Sequence, residues 1–323
     1  MFKPKNAFSW WSVLLRLIAT TAYQAKQQNS SWQQSLLSAS AAQPVQTGET
    51  SGKLFNQGIG RTYYLYTPKS YQPNHPLPLV LVFHEYAGNG QKMAVSTGMN
   101  VLAEQKGFIV VYPNAIDKRW DIGGNAATSV NDVRFVAALI AHLSKIRAID
   151  RQRIYATGSS NGGYLVQRLA CEMPSKFAAF ASVAASLPLQ VKQSCKPQTA
   201  VSMMMINGTG DTVVPWEGGA PPKVRIGKNL SSLPIPEVID FWRHHDACSK
   251  VEVKQLKSDR VEISDYPNCQ QGSEVTLVAL KGGKHVWPGH GSQFLEASTT
   301  IWDFFQYHTA TTQNDKSVRR EKP

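Results

Sequence analysis

The residue of this chain with the clearest capacity for chemistry is a serine set between glycines. Gly158-Ser159-Ser160-Asn161-Gly162 matches the pattern GxSxG with Ser160 at its centre. Residues 154–157 before it have the β-branched and aromatic character of a strand, and residues 164–170 after it are good helix formers with apolar side chains at helical spacing. A strand-to-helix turn this tight strains its central residue and needs glycine where a Cβ would clash. It leaves the serine Oγ exposed above a sheet edge. The next amide, Asn161 N–H, then points where an oxyanion would form. Clusters of Gly, Ser and Asn are also ordinary turn material, but strand and helix signals on the correct sides favour a nucleophile.

A serine nucleophile requires a base, and the base requires a carboxylate that orients it. Residues 201–206 form an apolar run that leads into Asn207-Gly208-Thr209-Gly210-Asp211, so Asp211 falls just past the end of a buried strand, where sheet enzymes place their chemistry. Asp240, Asp246, Asp259 and Asp265 sit in helical or hairpin contexts and are weaker candidates. Residues 275–280 form another apolar run, followed by Lys281-Gly282-Gly283-Lys284-His285, which makes His285 the expected base. His244 and His245, next to Asp246 and Cys248, allow a metal cluster to be imagined, but neighbouring histidines at a helix end point in different directions, and no metal is expected. A second oxyanion donor belongs in the loop after an early strand, here Tyr86 N–H within His84-Glu85-Tyr86-Ala87-Gly88.

These groups need a scaffold, and the chain spells one out. Residues 61–67 alternate as a strand, while 78–83 and 107–112 are continuous apolar runs that suit strands covered on both faces. Residues 95–106 and 130–146 have helical periodicity, the second capped by Asn131 or Asp132. Further strands are expected at 177–185, 201–206 and 275–280, a hairpin at 251–266, helices at 235–245 and 294–308, and a Gly/Pro-rich connection at 218–236. Strands alternating with helices predict an α/β architecture, a mostly parallel central sheet with helices on both faces in a single domain.

Length and composition agree. The 323 residues are 42% hydrophobic, which suits one large globular core. The net charge of +12 is spread thinly, with no basic helix or aromatic-basic motif, so it reads as solubility or attraction to an anionic surface and not as a nucleic-acid partner. Residues 1–5 are basic and 7–15 apolar, the order of a signal peptide, although Arg16 interrupts it and no clean cleavage site follows. An interfacial helix or a plain leader are the other readings, and the stretch is too short for a transmembrane span. Residues 24–52 are rich in Gln, Ser, Ala and Thr and read as a linker, which places the leader and linker at 1–52, the catalytic domain at 53–309 and a polar tail at 310–323. Four cysteines without CxxC spacing argue against zinc. In an exported protein they predict two disulfides in chain order, Cys171 with Cys195 and Cys248 with Cys269, and in a cytosolic one four buried thiols.

Several of these stretches together resemble the polyhydroxybutyrate depolymerase and feruloyl esterase group of secreted α/β hydrolases. They are Thr97-Gly98-Met99-Asn100, residues 107–113, Asp132-Val133-Arg134-Phe135, Ile149-Asp150, residues 158–163 and Phe177-Ala178-Ala179, then Gly208-Thr209-Gly210-Asp211, residues 214–219 and residues 285–289. They follow the family order over about residues 61–308. The resemblance implies an α/β-hydrolase fold, a Ser160, Asp211, His285 triad, and ester hydrolysis without a cofactor. The chain departs from the group at Glu85 and Lys284, where glycines are usual. A glutamate there would set a carboxylate beside the oxyanion donor, in the substrate cleft, with Trp216 and Trp287 as apolar walls or as core residues. The expected substrates are short hydroxyalkanoate esters, or aryl and acetyl esters on plant polysaccharide, and the expected location is extracellular or periplasmic. The competing readings are a non-catalytic polymer- or surface-binding protein on the same scaffold, and a peptidase or lipase.

Overall fold

The computed structural model describes residues 46–56, 58–123, 131–220, 231–249 and 253–310, all within one compact unit that starts at Gln46. The expected leader, the tail beyond residue 310, and residues 221–230 of the Gly/Pro-rich connection lie outside the described residues. The strands in chain order are β1 (Gly48–Asn56), β2 (Ile59–Thr67), β3 (Leu77–Phe83), β4 (Ile109–Pro113) and β5 (Ile149–Ser159), then β6 (Ala179–Val183), β7 (Met203–Gly208), β8 (Val253–Ser258), β9 (Val261–Tyr266) and β10 (Val275–Leu280). The helices are α1 (Gly90–Thr97), α2 (Met99–Lys106), α3 (Asp132–Ile146), α4 (Asn161–Glu172), α5 (Leu189–Ser194), α6 (Ile235–His245) and α7 (Ala297–Phe305).

The described strands form one sheet in the order β1-β2-β4-β3-β5-β6-β7-β10-β9-β8. Its centre, from β4 to β10, is parallel throughout, and antiparallel β2-β1 and β9-β8 extend the two edges. The apolar runs read as doubly covered strands are those central ones, and every residue of β4, β6 and β7 is buried. Side chains alternate across the sheet. Val80 and Val82 of β3 join Met93, Leu102, Trp302 and Phe305 in the core beneath α1, α2 and α7. On the opposite face α4 and α6 are joined by Gln167, which accepts from Trp242 Nε1 and donates to Ser182 Oγ of β6. The chain winds from β3 to β4 on one side and then returns to β5 on the other, so the order of strand addition reverses between the parallel neighbours β3 and β5. Open sheets bind ligands in the crevice at the carboxyl ends of the strands at such a point.

Three expected boundaries need correction. The stretch read as linker up to residue 52 contains the start of β1, which pairs with β2 along its whole length from Gly48 with Thr67 to Asn56 with Ile59. Its polar composition is that of an edge strand whose ladder to a neighbour, not burial, holds it. The single helix expected over 95–106 is two, because Gly98 at φ 63° ends α1 with its N–H on Ala94 O and opens α2 at a new angle. The last helix begins at Ala297 and not near residue 294, since the Glu296 side chain caps it by accepting from Ser298 and Thr299 N–H. Asn131, not Asp132, caps α3 by accepting from Arg134 N–H.

Candidate active site

Ser160 joins β5 to α4 at φ 52° and ψ −117°, a conformation that only a heavily constrained non-glycine residue holds. The constraint comes from close packing of glycine backbone. A Cβ on Gly162 would stand 2.2 Å from Phe83 O, one on Gly158 2.7 Å from Gly162 C, and one on Gly163 2.6 Å from the Ala185 methyl. Ser160 N–H donates to Val183 O, and Tyr164 N–H to Ser160 O, so the turn is stitched to β6 and to its own helix. Asn161 is the first residue of α4, so its N–H is one of the helix's N-terminal donors that have no partner within the helix.

Asp211 and His285 arrive from the loops after β7 and β10, neighbours in the sheet. The loops are tied together: Gly210 N–H donates to Gly283 O, Thr209 N–H to Leu280 O and Gly282 N–H to Thr209 Oγ1. Gly208 has no room for a side chain, since a Cβ there would stand 2.2 Å from Gly283 O. Val213 and Val214 N–H both donate to Asp211 Oδ1, and Asp211 Oδ2 lies 2.7 Å from His285 Nδ1. His285 Nε2 lies 2.9 Å from Ser160 Oγ. A carboxylate that accepts from Nδ1 leaves Nε2 as the lone-pair nitrogen facing the serine hydroxyl. Such a line can move a proton from Oγ to the ring while the buried carboxylate balances the resulting charge.

The loop after β3 is held by groups that the sequence reading did not single out. His84 is buried, accepts from Ala115 N–H at Nε2 and therefore donates from Nδ1 to Glu85 O at 2.7 Å. Burial depresses its pKa, with Glu85 and Asp132 opposing, and both of its ring nitrogens are taken by backbone groups, so it braces the loop. Trp120 donates from Nε1 to His84 O, and its N–H donates to Asn161 Oδ1 at 2.7 Å. Arg61 donates to Asp132 Oδ1 at 2.7 Å and to Asn114 O, while Asp132 Oδ2 accepts from Asp121 N–H. Burial pushes the Asp132 carboxyl up and the Arg61 charge pulls it back.

The remaining expected residues fall as follows. In the turn after β3, Ala87 N–H donates to Lys118 O and Gly88 N–H to Glu85 O, while Tyr86 is exposed. The Glu85 carboxyl group folds back over its own turn, 2.9 Å from where a Cβ on Gly88 would stand, and among the described residues no lysine or arginine pairs with it. Trp287 packs partly buried against the core and donates to Ser298 Oγ, which favours the core reading for it. Trp216 is half-buried in the loop after Asp211, and Lys284 is exposed. His244 turns its Nδ1 to Asp240 O, and His245 turns its Nδ1 to Asp246 and its Nε2 to Pro197 O, so the two rings diverge. Of the other acids, Asp240 pairs with Arg243 and Asp265 accepts from Thr276 Oγ1. Both expected disulfides are present, Cys171 with Cys195 and Cys248 with Cys269.

A parallel-centred sheet covered on both faces, with a serine elbow after its central strand, defines an α/β-hydrolase fold. The family model for esterase PHB depolymerase matches residues 61–213. Feruloyl esterase B of Piromyces equi is 25% identical over 224 residues, 68% of this chain and 41% of that protein. A bifunctional acetylxylan esterase/xylanase of Neocallimastix patriciarum is 32% identical over 255 residues, 78% of this chain and 34% of that protein. The matched region thus spans less than half the length of these two relatives. The solved acetyl xylan esterase of Aspergillus awamori superimposes with a TM-score of 0.58 at 16% identity, covering 80% of this chain and 99% of that one, a likeness of fold. The chain thus has the α/β-hydrolase fold and is similar in sequence to polyhydroxybutyrate depolymerases and feruloyl esterases.

Proposed function

We propose that the chain is a serine carboxylic ester hydrolase that works through Ser160, His285 and Asp211. The observation that carries this reading is the placement of His285, with one ring nitrogen 2.9 Å from Ser160 Oγ and the other 2.7 Å from a buried Asp211 oxygen. His285 Nε2 takes the hydroxyl proton as Oγ bonds to the ester carbonyl carbon, whose π electrons move onto oxygen. Collapse of the tetrahedral species breaks the ester C–O bond, and the alcohol leaves with the proton from Nε2. Water then repeats the sequence on the acyl-enzyme and releases the acid. Asp211, held by two backbone N–H groups, keeps the ring oriented and stabilises the imidazolium. Asn161 and Tyr86 N–H are the proposed oxyanion donors.

The names of the relatives support acetyl or feruloyl esters of plant polysaccharide as substrates, and the family model supports hydroxyalkanoate esters. Two disulfides support an oxidising, extracellular or periplasmic location. Among the described residues no helix is long and apolar enough to cross a membrane. The test is Ser160→Ala, assayed on p-nitrophenyl acetate, methyl ferulate, acetylated xylan and polyhydroxybutyrate. The variant should fold normally and lose on the order of 10⁴ to 10⁶ in ester turnover. Turnover near that of the unaltered chain would overturn the mechanism.

A further inference from the structure

The two proposed oxyanion donors belong to different pieces of backbone, Asn161 to the first turn of α4 and Tyr86 to the turn after β3. Both N–H groups must stand about 2.7–3.1 Å from one oxygen, so the spacing of the two pieces is part of the chemistry. Trp120 is bonded to both. Its backbone N–H donates to Asn161 Oδ1 at 2.7 Å, its carbonyl accepts from Asn161 Nδ2 at 3.4 Å, and its indole Nε1 donates to the carbonyl of His84 at 2.9 Å, two residues before Tyr86. The buried ring packs on those of Phe83 and His84, with centroids 5.3 and 5.0 Å away. The segment is also fastened from behind. Asp121 N–H donates to Asp132 Oδ2 at 2.7 Å. Arg168, about two turns along α4 from Asn161, donates to Asp121 O at 2.9 Å and lies 2.8 Å from Asp121 Oδ2. Trp120 and Asp121 therefore lie along α4, tied to it at Asn161 and at Arg168, and the indole reaches across to the turn after β3.

We propose that Trp120 is the positioning residue of the oxyanion site, a strut that sets how far Tyr86 N–H stands from Asn161 N–H. This role rests on the ester-hydrolase reading and adds to it a residue outside the triad. A tryptophan that only fills a core needs some acceptor for each of its two N–H groups, and any buried acceptor would serve. Here the acceptors are the side chain of one donor residue and the carbonyl that leads into the turn of the other. Phenylalanine fills most of the same space and cannot donate from its ring. It would leave His84 O without the indole and let the turn after β3 shift by a fraction of an ångström against α4. In a preorganised site such a shift weakens binding of the charged oxyanion more than binding of the neutral ester carbonyl. Acylation and deacylation each pass through an oxyanion, so the two slow together and KM holds.

The test compares the full chain with Trp120→Phe on p-nitrophenyl acetate, with urea midpoints beside the kinetics. In the variant kcat should fall about tenfold with KM held within about twofold, a smaller loss than the roughly 10²–10³ of deleting an oxyanion donor, because the donor is displaced and not removed. The acid limb of kcat/KM against pH should not move, since His285 and Asp211 are untouched. A benzyl trifluoromethyl ketone supplies an oxyanion without turnover: Ser160 Oγ bonds to its carbonyl carbon, the carbonyl π electrons move onto oxygen, and the hydroxyl proton goes to His285 Nε2. Its affinity should fall about tenfold, in step with kcat. Arg168→Met cuts the tie from α4 to Asp121 while leaving Trp120 in place, and should lower kcat about threefold. Arg168→Lys, which keeps a cation against Asp121, should recover most of that loss, and this pair decides the matter if Trp120→Phe does not fold. The strut is overturned if kcat and ketone affinity of Trp120→Phe stay within about twofold of the unaltered chain, if its loss falls on KM, or if the two Arg168 variants have equal kcat. An unaltered chain that hydrolyses no ester and does not react with a fluorophosphonate at Ser160 overturns the ester-hydrolase reading itself, a result distinct from turnover that Trp120→Phe retains in full.

Discussion

At the scale of single residues, the site depends on atoms that are absent as much as on those present. Gly162 has no alternative: a Cβ there would be 2.2 Å from Phe83 O and 2.7 Å from His84 O, both backbone atoms that cannot swing away. Gly162→Ala should therefore destabilise the fold by about 1–3 kcal/mol and displace Ser160, so that ester turnover falls further than stability does. Urea unfolding beside kcat measurement separates the two effects. GxSxG is a local pattern, and Ser160 was accordingly legible in the sequence. The side chain of Asn161 was not, because its partner Trp120 N–H lies 41 residues away and no spacing rule connects them. Asn161→Ala leaves that buried donor unpaired and should reduce stability by about 1–3 kcal/mol by the same urea measurement. Glu85 was legible only as a departure from a pattern. Which way its carboxyl group turns, back over Gly88, is a rotamer property that residue type does not encode.

At the scale of elements, what could be read and what could not divides along the same line. Apolar runs identified the central strands because burial on both faces imposes composition directly. β1 escaped because pairing with β2 imposes none. The C-terminus of α6 is a case in which an element's end is held by charge. His245 Nδ1 lies 2.6 Å from Asp246 Oδ1, and Asp246 is fully buried and also accepts from Val201 N–H, the residue that leads into β7. Asp246 raises the His245 pKa above its ordinary 6.5, against burial, which lowers it. A raised folded pKa means that the stabilisation is present in full below pH 6.5 and is lost as pH rises through the folded value. The unaltered chain should thus lose stability relative to His245→Gln on going from pH 6 to pH 9. Urea midpoints for both proteins across that range decide it, and parallel curves would remove the ion pair from the account.

At the scale of the whole molecule, alternating elements predicted a parallel sheet but not its order. The β8-β9 hairpin extends the sheet beyond β10, and that placement emerges only from the pairing of Val275 with Tyr266 and the rungs that follow. The disulfides are where sequence and long-range structure meet. An even cysteine count suggested bridges, and the fold explains why these two are useful. Cys171 lies in the last turn of α4, the helix that begins at the serine elbow, and is tied to Cys195 just past α5. Cys248, just past α6, is tied to Cys269, shortly before the strand that leads to His285. Closing loops with separations of 24 and 21 residues should each stabilise by about 3 kcal/mol in the chain-entropy model. That is a large part of the roughly 5–15 kcal/mol by which a domain is stable. The two bridges close separate segments of chain, so their effects should add. Cys171→Ala with Cys195→Ala, and Cys248→Ala with Cys269→Ala, should each lower the unfolding free energy by about 3 kcal/mol, and the fourfold variant by about 6. Urea titrations of the three variants measure this directly. A fourfold variant as stable as the unaltered chain would mean that the unfolded ensemble is already constrained without the bridges, and that the loops are held by their packing alone.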